Sequence, residues 1–230
     1  ICLYCSGNQL TTLDLNNSKE LTYLACNNNQ LINLDISNSI KLKELDCSVN
    51  QLTTLDLTNK TDLSLLYCSD NQLTNLDVKN DIRLIKLVCS DNQLTDLDVS
   101  KNVGLRELYC SDNQLTNLDV KNNVNLTKLS CFANQLTNLD VRRMIKLLSL
   151  YCYDNMLNRL DIRLILNLQE LKCCNQAEYF TLRLTNEQKD RFAEEDYCNA
   201  TLDTAPFNEL ITSPQLKNWL RVNTNRMPGV

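Results

Sequence analysis

The chain has 230 residues, with 23 basic against 28 acidic side chains for a net charge of −5, and it carries 12 Cys, no His, 3 Gly and 3 Pro. The acidic balance argues against a general nucleic-acid binder, which would present a basic stripe, and no apolar run approaches the roughly 18 residues of a membrane span. Without His the usual general base and the commonest metal ligand are missing, while 45 Leu and 32 Asn make up a third of the residues and point to a repeat.

From residue 3 to residue 173 a 21-residue unit recurs without insertion. Cys5, Cys26, Cys47, Cys68, Cys89, Cys110, Cys131, Cys152 and Cys173 stand at that spacing, and the Asn from Asn8 to Asn155 follow in step. The unit reads L-x-x-L-x-C-x-x-N-Q-L-x-x-L-D-(L/V/I), as in Leu21, Leu24, Cys26, Asn29, Leu31, Leu34, Asp35 and Ile36. Leu24 and Cys26 lie two apart, so an extended segment turns both to one face. Stacked copies predict a parallel sheet over an apolar column that no single coil buries alone. Leu31, Leu34 and Ile36 repeat the pattern ten residues on, so each coil is expected to hold two short strands or extended turns, with no room for a full convex helix. Nine coils at the strand spacing of about 4.8 Å give a rod of about 43 Å.

The ladder Asn marks the bend after the first strand, where its amide is expected to satisfy backbone groups of its own and the next coil. The ladder Cys take a Leu position and are expected to be buried free thiols, because in-register parallel strands make poor disulfide geometry. Cys2 and Cys5 form a C-x-x-C with no second pair downstream, so no metal site is predicted. Cys174 and Cys198 either tie the C-terminal segment to the last coil or stay apart. The Asp from Asp14 to Asp161 are expected to bond locally at the turn, a calcium ladder being the alternative.

After Cys173 the pattern fails, with Gln176 at the Asn position and Glu178 at the Leu position. Phe180, Leu182 and Leu184 alternate like a last strand, and Thr185-Asn186-Glu187-Gln188 reads as a capping box opening a helix to about Tyr197. Pro206 and Ser213-Pro214 open further short helices. The expected organisation is a repeat array over 1–175, a C-terminal cap over 176–222 and a tail over 223–230. Ile1 stands inside a unit with no signal peptide ahead of it, as in a fragment or processed form.

These motifs resemble the leucine-rich repeat family, and more closely the nested 21-residue bacterial (IRREKO-like) class, over residues 1–175. The resemblance implies a leucine-rich repeat solenoid with a parallel β-sheet on the concave face, short strands or extended turns on the convex face and a C-terminal helical cap. Such arrays are often secreted or surface proteins of Bacteroidota-like bacteria, which implies an extracellular or cell-surface setting. The fold is a scaffold for many partners and does not itself fix a function.

Positions that vary from rung to rung are free to be tuned to a partner. The outward position before the ladder Cys reads Tyr4, Ala25, Asp46, Tyr67, Val88, Tyr109, Ser130, Tyr151 and Lys172, and the position after it turns from mostly Ser to Phe132 and Tyr153. Tyr supplies contact area and a hydroxyl at low entropy cost, so this face is the expected recognition patch. Its predicted partner-binding residues are Tyr23, Leu65, Tyr67, Val88, Glu107, Tyr109, Phe132, Tyr151 and Tyr153. The expectation is a protein-binding scaffold with no catalytic residues, no cofactor and no metal, a monomer with end-to-end association left open. The alternatives are a surface, stalk or adhesion module with a mainly structural role, or ice or carbohydrate binding through the Thr/Asn/Asp face.

Overall fold

The computed structural model describes residues 1–198 and 200–204. Each coil starts with a three-residue strand whose central Leu points inward: β1 (Cys2–Tyr4), β2 (Tyr23–Ala25), β3 (Glu44–Asp46), β4 (Leu65–Tyr67), β5 (Lys86–Val88), β6 (Glu107–Tyr109), β7 (Lys128–Ser130) and β8 (Ser149–Tyr151). Farther on come β9 (Arg159–Asp161), β10 (Glu170–Lys172), β11 (Thr181–Arg183), α1 (Asn186–Arg191), a 3-10 turn (Glu194–Asp196) and β12 (Thr201–Asp203). Strands β1 to β8 and β10 make a nine-stranded parallel sheet in chain order. Its register sets Leu3 against Leu24 and Leu150 against Leu171, so the sequence period becomes the rung spacing. The array is a β-solenoid.

Beneath the sheet, every ladder Cys from Cys26 to Cys173 has no exposed surface, and none of them is oxidised. Burial pushes the thiols of Cys26, Cys89, Cys131 and Cys173 up to about 12, which keeps them protonated and inert. The ladder Asn reaches the preceding coil rather than the next one. Asn92 Nδ2 donates to Cys68 O (3.0 Å), Cys89 O (3.2 Å) and Ser90 O (3.1 Å), and its Oδ1 accepts from Leu73 N (2.9 Å). One residue before each ladder Asn the backbone turns left-handed, at Gly7, Asn28, Val49, Asp70, Asp91, Asp112, Ala133 and Asp154, and Asn175 does the same before Gln176. That conformation suits Gly, Asn and Asp and strains the others.

The ladder also runs one rung farther than the sequence pattern predicts. Gln176 Nε2 donates to Cys152 O (2.7 Å) and Cys174 O (3.2 Å), and its Oε1 accepts from Leu157 N (3.1 Å). The extra methylene changes the letter and keeps the amide.

The second half of most coils is turn rather than strand. Ser39 N bonds Ile36 O (2.9 Å) and Leu42 N bonds Ser39 O (3.3 Å), and the first bond recurs coil after coil to Ile165 N and Ile162 O (2.8 Å). The Asp ladder initiates these turns: Asp35 Oδ1 accepts from Ser37 N (2.9 Å), and Asp14, Asp56, Asp77, Asp98, Asp119, Asp140 and Asp161 accept likewise from the residue two ahead. Hydrogen bonds from that residue hold Asp35, Asp56, Asp98, Asp119 and Asp140 below the usual carboxylate range. A turn beginning at the Asp leaves no run of free backbone for a second ladder. The exception is β9, which pairs with β11, and β11 with β12, in a three-stranded parallel sheet.

Thr185 caps α1 with both bonds of the predicted box, but the helix stops at Arg191 instead of near Tyr197. Phe192 turns extended, with φ −97° and ψ 138°. Phe192 and Tyr197 are both buried, and on one unbroken helix two residues five apart would point about 140° from each other. The break lets both reach the core. Cys174 and Cys198 form a disulfide, and Cys173 N bonds Asp196 O (2.8 Å), so the segment after α1 seats on the last rung. The helices expected at Pro206 and Ser213-Pro214, and the tail, lie outside the described residues.

Candidate functional site

The nine-stranded sheet carries the predicted patch. On a three-residue strand the first and third side chains face outward, so Leu65, Tyr67, Lys86, Val88, Glu107 and Tyr109 come from β4, β5 and β6 onto one surface. Lys86 Nζ lies over the Tyr67 ring at 5.4 Å and over the Tyr109 ring at 5.5 Å. The same ammonium pairs with Glu107 at 2.9 Å, and Lys128 reaches Glu107 from the other side at 4.0 Å. Tyr109 Oη donates to Glu107 Oε2 at 3.4 Å. Burial works to raise the Glu107 carboxyl, but the bond and charge of Lys86, with Lys128, bring it below its ordinary value; the Glu107 bond raises Lys86. The result is a cation held between two aromatic faces and anchored by a half-buried carboxylate, a geometry that fixes four long side chains together.

Two further aromatic groups lie toward the C-terminal end. Phe132 and Tyr153, on neighbouring coils just past the ladder Cys, stack with centroids 4.4 Å apart and planes 6° from parallel. Tyr151 Oη donates to Glu170 Oε2 (2.5 Å), which also accepts from Ser149 Oγ (2.8 Å). That bond, with burial, pushes Tyr151 up to about 12 and holds Glu170 below the ordinary carboxylate range. Both the Tyr151 hydroxyl and the Glu170 carboxylate are therefore fixed in direction.

Tyr23 stands apart from these groups. It packs on Tyr4 at 4.8 Å, and the acidic strand β3, with Glu44 and Asp46, separates it from Tyr67. The predicted partner-binding residues leave out Lys86, Lys128, Ser149 and Glu170, which share the outward column of this face and bond or pair with its Tyr and Glu side chains. Their signal is the charge order of the outward column two residues before Val88, Tyr109 and Ser130, which alternates Lys86, Glu107 and Lys128. Unlike charges on adjacent strands at that distance pair.

Among the described residues no group of three or more Cys, Asp or Glu is arranged to hold a metal ion, and no helix is long and apolar enough to cross a membrane. No protein-family model matches the sequence, and no curated protein matches it. Among solved structures the chain is similar to the functional domain of InlJ from Listeria monocytogenes, which includes a cysteine ladder, at 28% identity and TM-score 0.62, over 88% of this chain and 57% of that one. It is similar to the internalin InlF from the same species at 24% identity and TM-score 0.71, over 86% and 58%. A leucine-rich repeat protein of Leptospira interrogans matches at 22% identity and TM-score 0.71, over 87% and 65%. The chain thus spans less than two thirds of each of these structures. With a parallel sheet of stacked 21-residue coils and these neighbours, the molecule folds as a leucine-rich repeat solenoid.

Proposed function

We propose that the chain is a non-enzymatic scaffold that binds a protein partner through the outward face of the nine-stranded sheet. The observation that carries this reading is the Tyr67–Lys86–Tyr109 group with its Glu107 anchor. Side chains already immobilised lose less entropy on binding, and aromatic anchors are the commonest hot spots. Leu65 and Val88 flank that group, Phe132, Tyr151 and Tyr153 extend the surface toward the cap, and Tyr23 with Tyr4 supplies a separate contact at the opposite end. The likeness to internalins supports a recognition role for the array. An extracellular or cell-surface setting belongs to the same proposal, supported by the Cys174–Cys198 disulfide, since such bonds persist in oxidising compartments.

The test is capture of a partner from candidate host or neighbour-cell extracts, followed by affinity measurement with the Tyr109→Ala, Tyr151→Ala double variant. Truncating two hot spots should weaken binding by about 2 kcal/mol or more, roughly 30-fold. Unchanged affinity, with the circular dichroism of the fold intact, rejects this face as the binding surface.

A further inference from the structure

The internal repeat supplies its own control for a second site, carried by the other half of the coil. Between neighbouring coils a shallow groove runs beside the Asp ladder. At one point Asn75, Asp77, Lys79, Asp96 and Asp98 line it, leaving about 120 Å³. Sixty-three residues on, three coils later, the equivalent positions are Asn138, Asp140, Arg142, Arg159 and Asp161, and with Arg183 they line a cleft of about 250 Å³. The repeat is unchanged, but Lys79 has become Arg142 and Asp96 has become Arg159. In the seven preceding coils the position of Arg159 holds Thr, Asn or Asp, never a base. The groove has changed sign.

The cleft's carboxylates are already engaged. Asp140 takes Arg142 Nε (2.9 Å) and Nη2 (2.7 Å), and Asp161 takes Arg163 Nε (3.0 Å) and Nη2 (2.8 Å), each as a two-pronged fork. Arg183 Nε pairs with Asp203 at 2.7 Å. Among the described residues the Arg159 guanidinium makes no hydrogen bond or ion pair, and the residue is exposed. A guanidinium has five N–H donors and no acceptor, so these pairings leave the Nη1 of Arg142 and the guanidinium of Arg159 as donors with no hydrogen-bonded acceptor. Strands β9 and β11 fix the backbone beneath, with Thr181 opposite Arg159 and Arg183 opposite Asp161. A rigid cleft with surplus planar donors, its acidic groups neutralised, selects an acceptor-rich anion.

We infer that this cleft is an oxyanion site that takes a carboxylate or sulfate group, with Arg159 as its principal ligand and Arg142 and Arg183 at its walls. Its volume admits one such group and its immediate carrier, not a drug-sized ligand. The inference stands apart from the sheet-face reading, because none of its residues belongs to that sheet.

The test uses the full chain labelled with ¹⁵N, following the arginine Nε–Hε signals while sodium sulfate or sodium acetate replaces sodium chloride at constant ionic strength. A saturable displacement of one or more arginine signals is expected. Arg159→Asp, which restores the residue of the earlier groove, should abolish it, and Arg159→Lys should weaken it at least several-fold because a point charge cannot fork an oxyanion. Lys79→Ala should leave it unchanged. A linear, non-saturating response, or the same saturation in Arg159→Asp, overturns the site. Equal affinity in Arg159→Lys overturns the fork geometry. A sulfated disaccharide run in parallel identifies the source: binding at least ten-fold tighter than inorganic sulfate assigns the group to a sugar, and equal binding assigns it to the free ion.

Discussion

Asp81 sits in the turn column between Lys60 and Asn102 with 1% of its surface exposed, and neither carboxylate oxygen has a hydrogen-bond partner among the described residues. One coil on, Asn102 Nδ2 donates to Val78 O and Asp81 O at 2.9 Å each, and Asn123 repeats this to Val99 O and Asn102 O. A carboxylate has no proton to donate to the carbonyls at that place, whereas a carboxylic acid does. Burial first, then the charge of Asp77, raises Asp81 to about 7 against the opposing pull of Lys60. A folded-state pKa above the unfolded one means that the stability Asp81 contributes is fully present below about pH 4 and is lost as the pH rises through about 7. Asp81→Asn should therefore raise Tm at pH 8, by about 1–3 kcal/mol of stability, and flatten the slope between pH 5 and 8. Melting curves of the two proteins that run parallel across that range would refute this. Val49 is a second misfit, a β-branched residue at φ 54° where neighbouring coils place Gly7, Asn28 and Asp70. Val49→Asn should stabilise by about 1 kcal/mol in urea unfolding, and no gain would mean the turn is not strained. Sequence alone finds Val49 only once the left-handed turn is known, and it does not find Asp81 at all. Its column reads Ser39, Lys60, Asp81, Asn102, Asn123, Met144, Ile165. The backbone turn, not residue type, buries that position, so no repeated letter announces it.

At the scale of the element, the first strand and its Asn are legible because one side chain does the same job in every coil. Asn92 links two coils through four hydrogen bonds, three from its amide nitrogen and one to its oxygen. Removing it strands Leu73 N and the carbonyls of Cys68, Cys89 and Ser90 in a buried bend. Asn92→Ala should cost about 3 kcal/mol or more in thermal or urea unfolding, well above the cost of an ordinary surface truncation. Asn92→Gln should recover part of that loss, since Gln176 makes three equivalent bonds at its own rung. If the Gln variant is no better than Ala, the Gln176 geometry belongs to the looser last coil alone. The second half of the coil was less legible for a related reason. Leu31, Leu34 and Ile36 match the first half in apolar spacing, but Asp35 captures Ser37 N and starts a turn where the spacing suggests a strand. Likewise the capping box announces where α1 begins, while its end depends on where Phe192 and Tyr197 find the core, which no local motif records.

Over the whole molecule, a solenoid is a chain of nearest-neighbour contacts, so its ends decide how it fails. The net charge of −5 gave no hint that the last coils carry Arg142, Arg143, Arg159, Arg163 and Arg183, nor that their end is tied covalently. At that end Leu171 of β10 and Cys173 just past it are buried, and the segment after α1 is held there by Cys173 N to Asp196 O, by the 2.6 Å Lys172–Asp196 pair and by the Cys174–Cys198 bond across 24 residues. Lys172 and Cys174 are at the surface, so the ion pair contributes little and the disulfide is the principal restraint. A loop of that length lowers unfolded-state entropy by an amount equivalent to about 3 kcal/mol. Cys198→Ser, or a reductant acting on the native chain, should therefore loosen the cap first. Amide hydrogen exchange should rise in β10 and β8 while β2 to β6 keep their protection, because each rung is stabilised chiefly by its neighbours. The buried ladder thiols should not react with a thiol reagent until those rungs open, and Cys173 should react before Cys89. Simultaneous loss of protection along all nine strands would instead show that the array unfolds as one unit, and that its cap is only a local attachment.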